Sequence, residues 1–133
     1  QSVRLGCGGH SMTIETYRDL RVWRDAMDLA EACYRLTARF PADERFGLTS
    51  QIRRASVSIP ANIAEGYGRN SKGAYVQFLR VAQGSLKELE THLLLVERLG
   101  LAATEAAAPL LASTDALGRM LWALIRSLEQ TAG

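Results

Sequence analysis

Tyr75, Leu79, Ala82, Leu86, Leu89, Leu93 and Val96 recur at spacings of four, three, four, three, four and three. That rhythm belongs to a helix with one face sealed against other helices. A strand cannot satisfy it, because strand side chains change face at every residue. Ser71 is placed to cap the start of this helix, and Gly100 to close its end. Phe78, Ser85, His92 and Leu99 form a second row seven residues apart. His92 therefore reads as a hydrogen-bonded core or boundary histidine rather than a catalytic one.

Three more helices are expected around this one. The first runs from about Leu20 to Arg39, with Val22, Ala26, Leu29, Cys33 and Leu36 on one seam. Trp23, Met27, Ala30, Tyr34 and Thr37 make an adjoining seam, together a wide apolar face. Phe40-Pro41 stops it, since the residue before proline is driven out of the α region. The second begins near Asp43 or Glu44, carries Leu48, Ile52, Ile59 and Ile63, and ends at Gly66 and Gly68. Pro60 removes one backbone hydrogen bond from it, which predicts a kink near Ser56–Ser58 rather than a break. The fourth spans Thr104 to Gln130, with Leu110, Thr114, Leu117, Leu121, Leu124 and Leu128 inward. Pro109 falls in its first or second turn, or delays its start.

Short connections between such helices imply antiparallel neighbours. The expected fold is all-α: an elongated, antiparallel up-down four-helix bundle over residues 13–133 with a proline-kinked second helix. Residues 1–12 show no periodicity and are read as a disordered extension or cloning remnant outside that fold. With 47% apolar residues in 133, the chain can bury one real core. No apolar run approaches the ~20 residues that span a bilayer. No membrane association is expected, and the default compartment is the cytoplasm.

Chemistry is harder to find. Cys7 and Cys33 have no C-x-x-C spacing, and with only His10 and His92 beside them no metal site is expected. No serine has a histidine and an acid at a recognisable spacing. The glycine-rich stretch Gly66–Gly73 lacks the phosphate-loop pattern and follows a helix rather than a strand. No cofactor and no catalytic residue are nominated.

Charge is more informative by position than in total. The formal charge is +2, but from Arg45 to Lys72 five cations face Glu65 alone, a local excess of five minus one. Arg53, Arg54, Arg69 and Lys72 are the candidate nucleic-acid contacts, the last two at the start of the third helix, where anions are favoured. On the second helix Gln51, Ala55, Ser58, Asn62 and Glu65 step by four and three, a mainly polar seam at core spacing. Gln51, Ser58, Asn62 and Glu65 either form a satisfied network that sets helix register or present a recognition surface.

The stretch from Phe40 to Leu95 carries a specific pattern. Its parts are Phe40-Pro41 with Glu44, Gly47-Leu48, Gln51-x-Arg53-Arg54-Ala55, Ser58-x-x-x-Asn62-Ile63-Ala64-Glu65-Gly66, and Gly84-Ser85-x-x-Glu88-Leu89-Glu90. This pattern resembles the 23S rRNA-intervening-sequence proteins, and the segment from Asp19 looks like that family's first helix. The resemblance covers roughly Tyr17 to Leu99, with the last helix matching only by its hydrophobic pattern. It implies a homo-oligomer, a ring of five bundles, without enzymatic activity. A more distant likeness is to the accessory variability determinant of diversity-generating retroelements, which implies nucleic acid and a reverse transcriptase as partners. The expected function is thus an oligomeric scaffold that binds RNA through a basic surface. The rival is an assembly module that binds no nucleic acid, its polar second-helix motif being structural.

Overall fold

In the computed structural model, backbone is described for residues 3–7 and 10–131, and side chains for residues 13–131. The helices are α1 (Arg21–Thr37), α2 (Leu48–Tyr67), α3 (Lys72–Leu99) and α4 (Thr104–Gln130). Each packs on its sequence neighbours, and α4 closes the ring against α1. Named contacts give the directions. Ser58 on α2 meets Ser85 on α3, and Gly66 meets Tyr75 and Phe78, so α3 runs back along α2. Arg80 meets Glu129, and Gly118 meets Leu86, so α4 runs back along α3. With 28 residues, α3 is about 42 Å long and sets the length of the molecule.

The core follows the heptad rhythm. Leu79, Ala82, Leu86, Leu89, Leu93 and Val96 are all buried, joined by Val22, Ala26, Leu29, Cys33 and Leu36 from α1 and by Ile52, Ile59 and Ile63 from α2. From α4 come Leu110, Thr114, Leu117, Leu121 and Ile125. Ile125 takes the inward place expected for Leu124, because a straight helix drifts off a strict seven-residue repeat over this length. The second seam of α1 is only half used: Ala30 and Thr37 are buried, whereas Met27 and Tyr34 stand exposed. Among the described residues no helix is long and apolar enough to cross a membrane.

The helix ends show which local rules won. Ser71 Oγ accepts the Ala74 N–H at 3.1 Å, as an N-cap should. Gly100 has φ 66°; its N–H reaches the Glu97 carbonyl and the Leu101 N–H reaches that of Val96, a Schellman closure. The start of α2 differs from expectation. Ala42–Glu44 form a 3-10 turn, and the helix begins at Leu48. Glu44 stays outside it as a cap, its Oε1 accepting the Leu48 N–H at 3.1 Å. Pro60 lies within α2, whose helical run is continuous from Leu48 to Tyr67.

The N-terminal reading is corrected. Val3–Cys7 (β1) pairs antiparallel with His10–Ile14 (β2), Cys7 opposite His10 and Val3 opposite Ile14. Gly8 and Gly9 lie between the two strands in the sequence. Ile14 is wholly buried and joins the ribbon to the helical core.

Gly66 shows why a helix can need a glycine. A Cβ there would lie 2.6 Å from Phe78 Cβ and 3.2 Å from Tyr75 Cδ1. Gly66→Ala is expected to cost about 1–3 kcal/mol through overpacking, read as a lowered urea midpoint.

Burial also pushes the Cys33 thiol from its ordinary 9.0 up to about 12. Between those values the folded chain holds a proton that the unfolded chain has lost, so stability falls as pH rises. One such proton gives a slope of about 1.4 kcal/mol per pH unit. Urea unfolding between about pH 9 and 11 should show a shallower decline for Cys33→Ala than for the parent.

Candidate functional site

The polar seam of α2 resolves into separate devices. Ser58 and Ser85 share a hydroxyl–hydroxyl bond of 2.8 Å across the α2–α3 seam. Asn62 Nδ2 donates to the Ser58 carbonyl at 2.8 Å and to its Oγ at 3.0 Å. One heptad towards the start of α2 lies Gln51, half-buried; one heptad the other way, exposed Glu65 pairs with Arg69 at 3.0 Å. Three of the four nominated polar residues are thus bonded inside the chain, and the serine–asparagine cluster ties α2 to α3.

The nominated cations do not form one patch on a single chain. Arg53 turns towards α1: its Nε donates to Thr37 Oγ1 at 2.8 Å, and its guanidinium lies 4.5 Å over the Tyr34 ring. Thr37 Oγ1 in turn donates to the Cys33 carbonyl at 2.8 Å. Arg53 therefore places its charge at the C-terminal end of α1, where the helix dipole favours a cation. Sequence reasoning missed this partner, because Thr37 and Tyr34 were read only as apolar-seam residues. Arg54, the next residue, is exposed. Arg69 and Lys72 sit fifteen or more residues further on, about 22 Å of helix rise away.

At that far end Arg69 stacks 4.8 Å over Phe78, and Lys72 Nζ donates to the Thr131 carbonyl. The two cations line a cleft of about 200 Å³ with Tyr67, Asn70, Ser71 and Tyr75. The Tyr75 hydroxyl is buried without a hydrogen-bond partner. Burial, with Tyr67 nearby, pushes its pKa up to about 12.

His92 occupies the flank position expected of it, but its hydrogen bond is absent. Its side chain is 19% exposed, and Nε2 lies 3.6 Å from a Glu88 oxygen, too long for a hydrogen bond. His92 is seven residues from Ser85, about 10 Å along the axis, so the two cannot exchange a proton directly. Among the described residues no group of His, Cys, Asp and Glu could hold a metal ion.

The family model for the 23S rRNA-intervening sequence protein matches residues 18–123, from the entry to α1 to late in α4. The chain belongs to that family. The match takes in most of the fourth helix, beyond the reach of the motif resemblance. A crystal structure of a protein of unknown function from the S23 ribosomal protein family of Bacteroides thetaiotaomicron is similar in fold, with a TM-score of 0.71. It is 22% identical, and the alignment covers 78% of this chain and 97% of that one. No curated protein matches this one. Within this family member, the motif from Gln51 to Gly66 thus maps onto contacts that hold α1, α2 and α3 together.

The network gives an ordered set of outcomes. Ser85→Ala removes one hydroxyl partner and is expected to cost about 1 kcal/mol. Ser58→Ala also removes the oxygen that Asn62 Nδ2 bonds, and should cost about 1–3 kcal/mol. The double variant should be no worse than Ser58→Ala alone, a non-additivity readable by equilibrium urea unfolding.

Proposed function

We propose that this family member is a non-enzymatic, self-assembling helical scaffold that carries RNA on a basic surface. The supporting observation for assembly is the outer side of α2. Arg54, Val57, Ala61, Glu65 and Gly68 step along it by three and four, and all are exposed. Apolar groups flank it on both sides. Met27 and Tyr34 are 44% and 43% exposed on the α1 flank that meets Arg53. On α3, exposed Val81, Leu95 and Leu99 lie near the row of Ser85 and His92 that faces α2. Exposed apolar side chains on both flanks of this row suit a second copy of the chain. The family resemblance makes five copies the expected number.

The RNA contacts are assigned to Arg69 and Lys72. They stand at the α2–α3 end beside the N-terminus of α3, with Arg69 at the edge of the assembly face through its pairing with Glu65. Arg54 lies in the assembly face and Arg53 against α1, so those two serve assembly and folding. The reading of a pure assembly module draws on a different observation: Arg53, Arg69 and Lys72 all have partners within the chain.

Two measurements separate these readings. Light scattering should give a multiple of 14.6 kDa for the parent. It should give a clearly smaller mass for Ala61→Arg, with helicity by circular dichroism unchanged. An unchanged mass would overturn the assembly face. Gel shifts at about 50 mM salt should show RNA binding that weakens steeply with salt and in Arg69→Ala/Lys72→Ala. Absence of any shift would leave the assembly module as the function.

A further inference from the structure

The groove between α3 and α4 contains none of Arg53, Arg54, Arg69 and Lys72. It encloses about 910 Å³, with Arg80, Lys87, Arg119 and Trp122 on its walls and Gly84 and Gly118 among the residues beneath. Trp122 is 56% exposed, although an indole is among the side chains that most favour burial. Arg126 holds its guanidinium 4.7 Å over the indole ring. An adjoining hollow carries Arg126 and Trp122 on towards Gln130.

Gly84 makes the groove harder to explain as folding alone. It lies in the middle of α3, where glycine costs about 1 kcal/mol relative to alanine. A Cβ at Gly84 would meet nothing within 4 Å. Contrast Gly66, where packing forbids a side chain. No contact among the described residues requires Gly84 to be bare, and its bareness keeps the groove open.

Cations outnumber acids around the groove. Arg80, Lys87, Arg119 and Arg126 stand around it; Asp115 pairs with Arg119, Glu129 with Arg80 at 2.5 Å and Glu90 with Lys87 at 3.4 Å, which leaves Arg126 on the indole without an acid among the described residues. On the other flank of the same helix, the groove against α1 is lined by Asp25, which pairs with Arg21 at 3.6 Å, and by Asp28. The two sides of α4 thus differ in the charges that line them: mostly cations towards α3, carboxylates towards α1. An exposed indole beside a row of guanidinium and ammonium groups is the pairing that single-stranded nucleic acid uses, base on aromatic and phosphate on cation.

We propose that the α3–α4 groove binds single-stranded RNA, with a base stacked on Trp122 and the backbone tracked by Arg80, Lys87, Arg119 and Arg126. This rests on the reading that the protein binds RNA, but places a second site on residues that reading does not use. Gly84 supplies the clearance for the backbone, and the Arg126–indole stack is a platform that a base extends.

The test is fluorescence anisotropy of the full chain with a labelled, mixed-sequence single-stranded RNA of about 12 nucleotides. Trp122→Ala should weaken binding about tenfold, and Trp122→Phe much less. Lys87→Ala should flatten the salt dependence by about 0.7 in the log–log slope. Gly84→Gln serves as the folding-safe variant: it fills open space, so helicity should hold while binding falls. Duplex RNA of the same sequence should bind less tightly, since its bases are already stacked. If Arg69→Ala/Lys72→Ala weaken binding while Trp122→Ala and Gly84→Gln do not, the groove proposal fails and the scaffold reading stands. If Trp122→Ala instead changes the light-scattering mass with RNA affinity intact, the groove is an interface between copies and the proposal is overturned. If the parent binds no RNA at about 50 mM salt, both readings fall together.

Discussion

The register of α2 against α3 is the constraint on which the rest of the molecule depends. Two contacts set it: the Ser58–Ser85 hydroxyl bond and the seating of Gly66 against Tyr75 and Phe78. A slip of one residue would rotate α2 by about 100° and carry Ile52, Ile59 and Ile63 away from the leucines of α3. Apolar packing alone tolerates such adjustments, because leucine and isoleucine can repack within a fixed volume. A bonded polar pair and a glycine clash tolerate much less. The polar residues therefore add little area to the core but select one arrangement of it, the role best attested for buried polar groups in helical assemblies.

From that register the neighbouring helices follow. Arg53 is carried by α2 to the C-terminal end of α1, where Thr37 and the Tyr34 ring receive it. Glu44 reaches forward to cap α2, and Glu65 reaches forward to hold Arg69 beside Phe78. Within the motif between Glu44 and Gly66, Arg53 and the Ser58–Asn62 cluster thus join three helices, while Glu44 and Glu65 bond locally at the two ends of α2. The same stretch carries the family resemblance. Its specificity describes a framework, and a framework motif says little about a ligand.

This division explains what could be read from the chain. The heptads of α3, the Ser71 cap, the Gly100 closure and the span of α4 were legible because each rests on local spacing or a single residue type. Met27 and Tyr34 were misplaced because α1 has two apolar seams, and spacing cannot say which will be covered. The N-terminal ribbon was missed because its pairing joins residues on either side of Gly8-Gly9, whereas helical periodicity was the signal sought. The cations were the least legible part. An arginine reaches across several residues, so its partner depends on which helix lies beside it. The threonine that receives Arg53 lies sixteen residues earlier in the chain. The Trp122 groove was invisible for a related reason: it joins two helices, and apart from Gly84 the residues that line it are none of those the motif specifies.

The last helix shows how function can sit apart from a framework. α4 contributes Leu110, Leu117, Leu121 and Ile125 to the core, and this fixes which way its remaining faces point. Given that orientation, the side towards α1 meets Asp25 and Asp28, and the side towards α3 meets Arg80 and Lys87. Burial demands only the leucines and isoleucine, so the charge on each flank is free to vary without unfolding the bundle. Trp122 and Gly84 sit on that unconstrained surface, one exposing an indole and the other omitting a side chain. Each choice gives up stability in a lone chain: the indole forgoes much of its burial, keeping only the Arg126 stack, and the glycine weakens its helix. Two independent departures from the local optimum, converging on one basic groove, are what a binding surface looks like when the core has already settled the fold.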